Sequence, residues 1–72
     1  MHIEITEPAL LSDLCDYLSR HGFLAVASNQ ERAQVLVPDA GSELAGLLLL
    51  RARVRAWRAT HPGVKVQIDR NG

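Results

Sequence analysis

Three arginines, Arg51, Arg55 and Arg58, stand four and then three residues apart within the stretch LLLLRARVRAWR. On a helix that spacing puts them on one face. A row of guanidinium groups so placed can hold phosphates, and each contact adds affinity and salt dependence. The same row also serves as a solvated flank that pairs with Asp13, Asp16 or the acids of a partner chain. Overall charge decides between these. The 72-residue chain carries 8 basic and 8 acidic side chains, whereas a nucleic-acid binder shows a clear basic excess. The flank reading is adopted. Nucleic-acid binding through Arg51, Arg55 and Arg58 is the alternative, and no affinity tighter than micromolar is expected of it.

The remaining reactive side chains do not assemble into a catalytic pattern. His2, His21 and His61 are far apart, and none has a second ligand type four residues away. His21 and His61 fall where helices end, where a donor or cation suits the free carbonyls. Cys15 lies among leucines and reads as a small buried hydrophobe rather than a nucleophile. As the single cysteine it forms no internal disulfide, and no paired Cys/His spacing points to a metal. Asp13 and Asp16 sit on a solvated helix face, without the cleft that general acid–base work needs. No glycine-rich phosphate loop is present. The chain is therefore read as a non-enzyme without cofactor or metal. A small enzyme with clefts built between subunits is the third class considered.

The elements that position these residues follow from hydrophobic periodicity. Residues 2–5 alternate as a short strand. Thr6, Glu7 and Pro8 start a helix over 7–21, with Thr6 as cap. Leu11, Leu14, Cys15 and Leu18 form its apolar stripe, and Asp16 and Arg20 are an i,i+4 pair. Gly22 ends it, with Leu18 and Phe23 at the two positions that touch in a Schellman cap. Residues 23–28 and 33–37 read as a hairpin around the turn NQER. A long helix spans 40–60, since alanine, leucine, arginine and glutamate outweigh the local period-two pattern of RARVRAWR. Leu47, Leu50, Val54 and Trp57 form its inner stripe. His61-Pro62-Gly63 stops it, 64–68 alternate as the last strand, and 69–72 form a tail.

Strand, helix, strand, strand, helix, strand in one domain over residues 1–72 predicts an α+β, ferredoxin-like fold. It has a four-stranded antiparallel sheet in the order 4-1-3-2, with both helices on one face. RNA-binding sheets of this topology stack bases on aromatic residues. Here the outward strand positions offer His2, Glu4, Gln34, Lys65 and Gln67 instead.

Charge is divided along the chain. Residues 1–43 hold seven acids against two bases, and residues 44–72 hold six bases against one acid. Such a chain complements itself or a second copy. The segment ELAGLLLL is apolar almost all round, more than one sheet face can cover. Leu44, Leu48 and Leu49, and Leu24 and Leu36 in the hairpin, are therefore assigned to a homodimer contact.

The segment PALLSDLCDYLSRHGFLA resembles the ACT domain, a small regulatory βαββαβ module. That family shows an acid, then Pro-Gly-x-Leu, apolar residues every three or four positions, and a glycine before its second strand. Pro8, Leu11, Leu14, Leu18 and Gly22 fall at matching places over residues 2–27. Ala9 stands at the family's glycine, Thr6-Glu7 replaces the acid, and the long second helix differs from the usual short one. The resemblance implies a dimeric regulatory domain with a small-molecule ligand near Thr6, Glu7, Pro8 and Ala9. The family's glycine lets backbone approach an amino acid, so Ala9 bears directly on that ligand.

No apolar leader region begins the chain, and the run Leu44–Leu50 is far shorter than the ~20 residues a membrane span needs. A cytoplasmic location without membrane contact is the expectation.

Overall fold

The computed structural model describes residues 1–69. In chain order the elements are β1 (His2–Ile5), a 3-10 turn (Pro8–Leu10), α1 (Leu11–Arg20), β2 (Leu24–Ala27), β3 (Arg32–Leu36), α2 (Glu43–Ala59) and β4 (Val66–Asp69). One sheet contains all four strands in the order β2-β3-β1-β4, and each neighbouring pair is antiparallel. This is the expected α+β, ferredoxin-like arrangement read from the opposite edge. Asp69, assigned above to a tail, ends β4 opposite His2. The rest of that tail, 70–72, lies outside the described residues.

The core lies between the helices and one face of the sheet. Ile3 and Ile5 of β1 and Ala33 and Val35 of β3 point into it, because alternate strand residues share a face. Leu11, Leu14 and Leu18 meet them from α1, and Leu50, Val54 and Trp57 from α2. Burying each large side chain contributes roughly 1.5–3 kcal/mol against its ordering cost. Leu47, the fourth member of the predicted α2 stripe, is only partly buried. It borders the open space beside β4.

The end of α1 follows the Schellman pattern. Phe23 N–H donates to the Leu18 carbonyl at 3.1 Å and Gly22 N–H to the Ser19 carbonyl at 3.4 Å. Gly22 holds φ at +90°, and Leu18 and Phe23 are both buried against the core.

The start of α1 differs from expectation. Thr6 does not cap it. The Thr6 hydroxyl instead accepts the Lys65 N–H at 3.1 Å, while Thr6 N–H donates to the Lys65 carbonyl at 3.1 Å. Those bonds extend the β1–β4 pairing by one residue. Pro8 then directs the chain through the 3-10 turn, and α1 begins at Leu11 without a side-chain cap.

The long helix begins at Glu43 rather than 40, because Ser42 is its cap: its hydroxyl accepts the Ala45 N–H at 3.1 Å. In the hairpin, the Asn29 side-chain oxygen accepts from the Glu31 and Arg32 N–H groups at 2.9 Å each. That local competition with the ladder holds the turn.

Candidate binding surfaces

β4 is an edge strand, and α2 stands away from it. Between them lies an open groove of about 750 Å³. Its apolar floor includes Val54, Val66 and Ile68, and its α2 wall carries Arg51, Arg55 and Arg58. The predicted spacing thus does bring the three arginines together along one side of one groove. Arg58 also donates from Nε to the Val64 carbonyl at 3.2 Å, tying α2 to the approach to β4.

The acids expected beside these arginines lie elsewhere. Among the described residues no ion pair involves Arg51, Arg55 or Arg58. Asp13 accepts the Trp57 indole N–H at 2.9 Å and lies 3.5 Å from His61 Nε2. Helix geometry explains this. Trp57 belongs to the stripe of α2 turned to the core and α1, whereas the arginines lie about a third of a turn away, toward β4. Asp16 is engaged through its main chain, its carbonyl accepting Arg20 Nε at 3.4 Å.

His61 closes α2 as its position predicted. Its ring stacks on Trp57 at 4.0 Å between centroids, and Nδ1 lies 2.9 Å from the Trp57 carbonyl. The Thr60 hydroxyl donates to the same carbonyl at 2.8 Å. This cluster fastens α2 to α1, a link invisible in sequence because Asp13 and Trp57 are 44 residues apart.

The outer face of the sheet is divided into an apolar and a charged half. Leu24 and Leu36 are direct cross-strand partners on β2 and β3. With Val26 they project outward, exposed by 55 %, 52 % and 68 %. The hairpin register therefore does turn Leu24 and Leu36 out of the core. Val26 escaped the sequence reading, although strand alternation from Leu24 carries it to the same face. On the other half, Arg32 lies 3.8 Å from Glu4 and 3.9 Å from Asp69, linking β3 to β1 and β4. Leu44, Leu48 and Leu49 of α2 are also more than half exposed. Leu44 and Leu48 share the arginine flank, and Leu49 lies on the side of Ala52 and Ala56.

Thr6, Glu7, Pro8 and Ala9 do not surround one cavity. Thr6 borders a shallow hollow of about 450 Å³ with Glu4, Glu31 and Lys65, while Glu7, Pro8 and Ala9 are exposed on the turn that follows. Cys15 is half-buried on α1. Burial, and secondarily the Asp16 carboxylate, pushes its thiol above the ordinary range. A protonated thiol is a poor nucleophile. Among the described residues no three His, Cys, Asp or Glu side chains gather as metal ligands, and no helix is long and apolar enough to cross a membrane. No protein-family model, curated protein or solved structure matches the chain.

Proposed function

We propose that this chain is a non-catalytic binding domain that acts as a homodimer through the outer face of its sheet. The supporting observation is the patch of Leu24, Val26 and Leu36, three large apolar side chains more than half exposed on adjacent strands. An apolar patch on a rigid sheet gains free energy when a second surface removes it from water. Two-fold pairing brings the same patch from each copy face to face. A contact of ordinary size takes about 800 Å² from each partner. Three side chains do not supply that area, so Gln34 and neighbouring polar positions form the rim.

The α2 leucines are a weaker dimer surface. Leu44 and Leu48 share their flank with Arg51 and Arg55, and a two-fold contact there sets like charges against each other. In the ACT-like reading, a small molecule held near Thr6 and Glu7 regulates the pair. Thr6 already bridges β1 and β4, so a ligand there acts on the sheet directly.

Size exclusion with light scattering tests the dimer. Twice the 7.9 kDa chain mass is expected for the wild type, and monomer for Leu24→Glu or Leu36→Glu. Both positions are exposed, so each variant keeps its fold, which circular dichroism checks. A wild-type monomer up to millimolar concentration overturns the proposal.

A further inference from the structure

We infer that the groove between α2 and β4 receives an extended acidic segment of another protein, which adds to the sheet as a fifth strand beside β4. Two independent features converge on this occupant: an open strand edge and a wall of positive charge that forms no ion pair among the described residues.

The strand edge follows from the register. Thr6 N–H donates to the Lys65 carbonyl, so Thr6 and Lys65 form a hydrogen-bonded antiparallel pair. Bonded pairs then recur at every second position, at Glu4 with Gln67 and His2 with Asp69. The intervening residues, Val66 and Ile68, turn their N–H and C=O groups away from β1 toward the vacant side. An incoming strand meets those groups with its own main chain. The Val66 and Ile68 side chains point under α2 but are only partly buried, so the layer beside them is incompletely filled.

The charge comes from α2. Arg51, Arg55 and Arg58 line this groove and form no ion pair among the described residues. Along the helix, Arg51 and Arg55 rise about 6 Å apart. Alternate residues of a strand are about 6.6–6.8 Å apart. Carboxylates at every second position of an added strand therefore keep step with the arginines. Planar guanidinium groups favour carboxylates over neutral acceptors.

A second copy of this chain is a poor occupant. Its exposed edges are β2, Leu24–Ala27, which carries no charge, and β4 itself, which follows Lys65 and supplies one acid, Asp69. Single-stranded nucleic acid fits less well too. The groove lining contains no aromatic side chain on which a base stacks, and a phosphate chain makes no use of the strand edge. The dimer proposed above uses the outer face near β2 and β3, so this groove stays open in it and the two proposals stand separately.

The test is fluorescence anisotropy of the full chain with an end-blocked, fluorescein-labelled peptide, Thr-Glu-Val-Glu-Val-Glu-Thr. Saturable binding is expected, weakened roughly tenfold or more by Arg51→Gln/Arg55→Gln. Both side chains are exposed, so this variant keeps its fold. Methylating the peptide's alternate backbone amides in the register that faces β4 is expected to weaken binding to a similar degree. Methylation in the other register is expected to have little effect. The methylated peptides leave the protein unaltered, so the result does not depend on a variant folding. No binding, indifference to methylation in both registers, or indifference to the arginine change overturns the inference. Tighter binding of an oligo-dT of equal charge overturns it in favour of nucleic acid.

Discussion

Gly22 carries a strict backbone requirement. Its φ is +90°, yet a Cβ built there meets nothing within 4 Å. A side chain is therefore resisted by backbone conformation alone, not by packing. Gly22→Val is expected to lower stability by about 1–2 kcal/mol, with Gly22→Ala losing less. Urea unfolding of the three proteins checks the order. Cys15 gives a second prediction at this scale. Burial, then Asp16, raises its thiol, so the folded chain retains a proton that the unfolded chain releases. That contribution to stability is fully present below the unfolded thiol value and is lost as pH rises through the thiol range. Relative to Cys15→Ala, the wild type is expected to lose stability above about pH 9. Iodoacetamide is expected to alkylate the folded thiol at neutral pH more slowly than free cysteine. Faster alkylation shows a reactive thiol.

Within α2, Gly46 is buried against the chain that leads into the helix. A Cβ there lies 3.4 Å from Ala40 Cβ and Met1 Cε and 3.5 Å from Val37 Cβ. Those are contact distances rather than clashes, and glycine in a helix interior costs about 0.8–1.0 kcal/mol relative to alanine. Gly46→Ala is therefore expected to raise stability by about 0.5–1 kcal/mol, read as a higher melting temperature. Gly46→Leu is expected to lower it, because a side chain larger than a methyl must push further against those three neighbours. Legibility in sequence follows the range of the forces at each element. The α1 stop was readable because Leu18, Gly22 and Phe23 act within six residues. The α1 start was not, because the Thr6 hydroxyl finds Lys65 59 residues away. The expected start of α2 at 40 misses the local signal of Ser42, a favoured cap residue just before Glu43. The pairing of Asp13 with Trp57 and His61 left none, since it depends on how α1 and α2 meet. The arginine spacing was legible as one helix flank, but the groove below it was not, because it depends on how far α2 stands from β4.

At the scale of the whole molecule, the chain divides its charge into a negative first half and a positive second half, but among the described residues no ion pair joins the α2 arginines to the acids. Arg32 instead takes Glu4 and Asp69. Exposed pairs of this kind contribute little, about 0–1 kcal/mol each. Self-association held by the arginines and acids of two copies therefore predicts strong weakening by salt, since exposed charges are screened beyond about 10 Å at 0.1 M. Self-association held by Leu24, Val26 and Leu36 predicts little weakening, because removing apolar surface from water involves no charge to screen. The sheet-face dimer thus makes a joint prediction for melting temperature. Because the dimer binds folded chains to one another, melting shifts upward with protein concentration. A chain of this size moves about 4–8 °C per kcal/mol, so the rise across a hundredfold concentration range is readily measured. It is expected to persist in 0.5 M sodium chloride and to vanish in Leu24→Glu. A rise abolished by salt but retained in Leu24→Glu places the contact on the charged surfaces and removes the apolar sheet face as its cause.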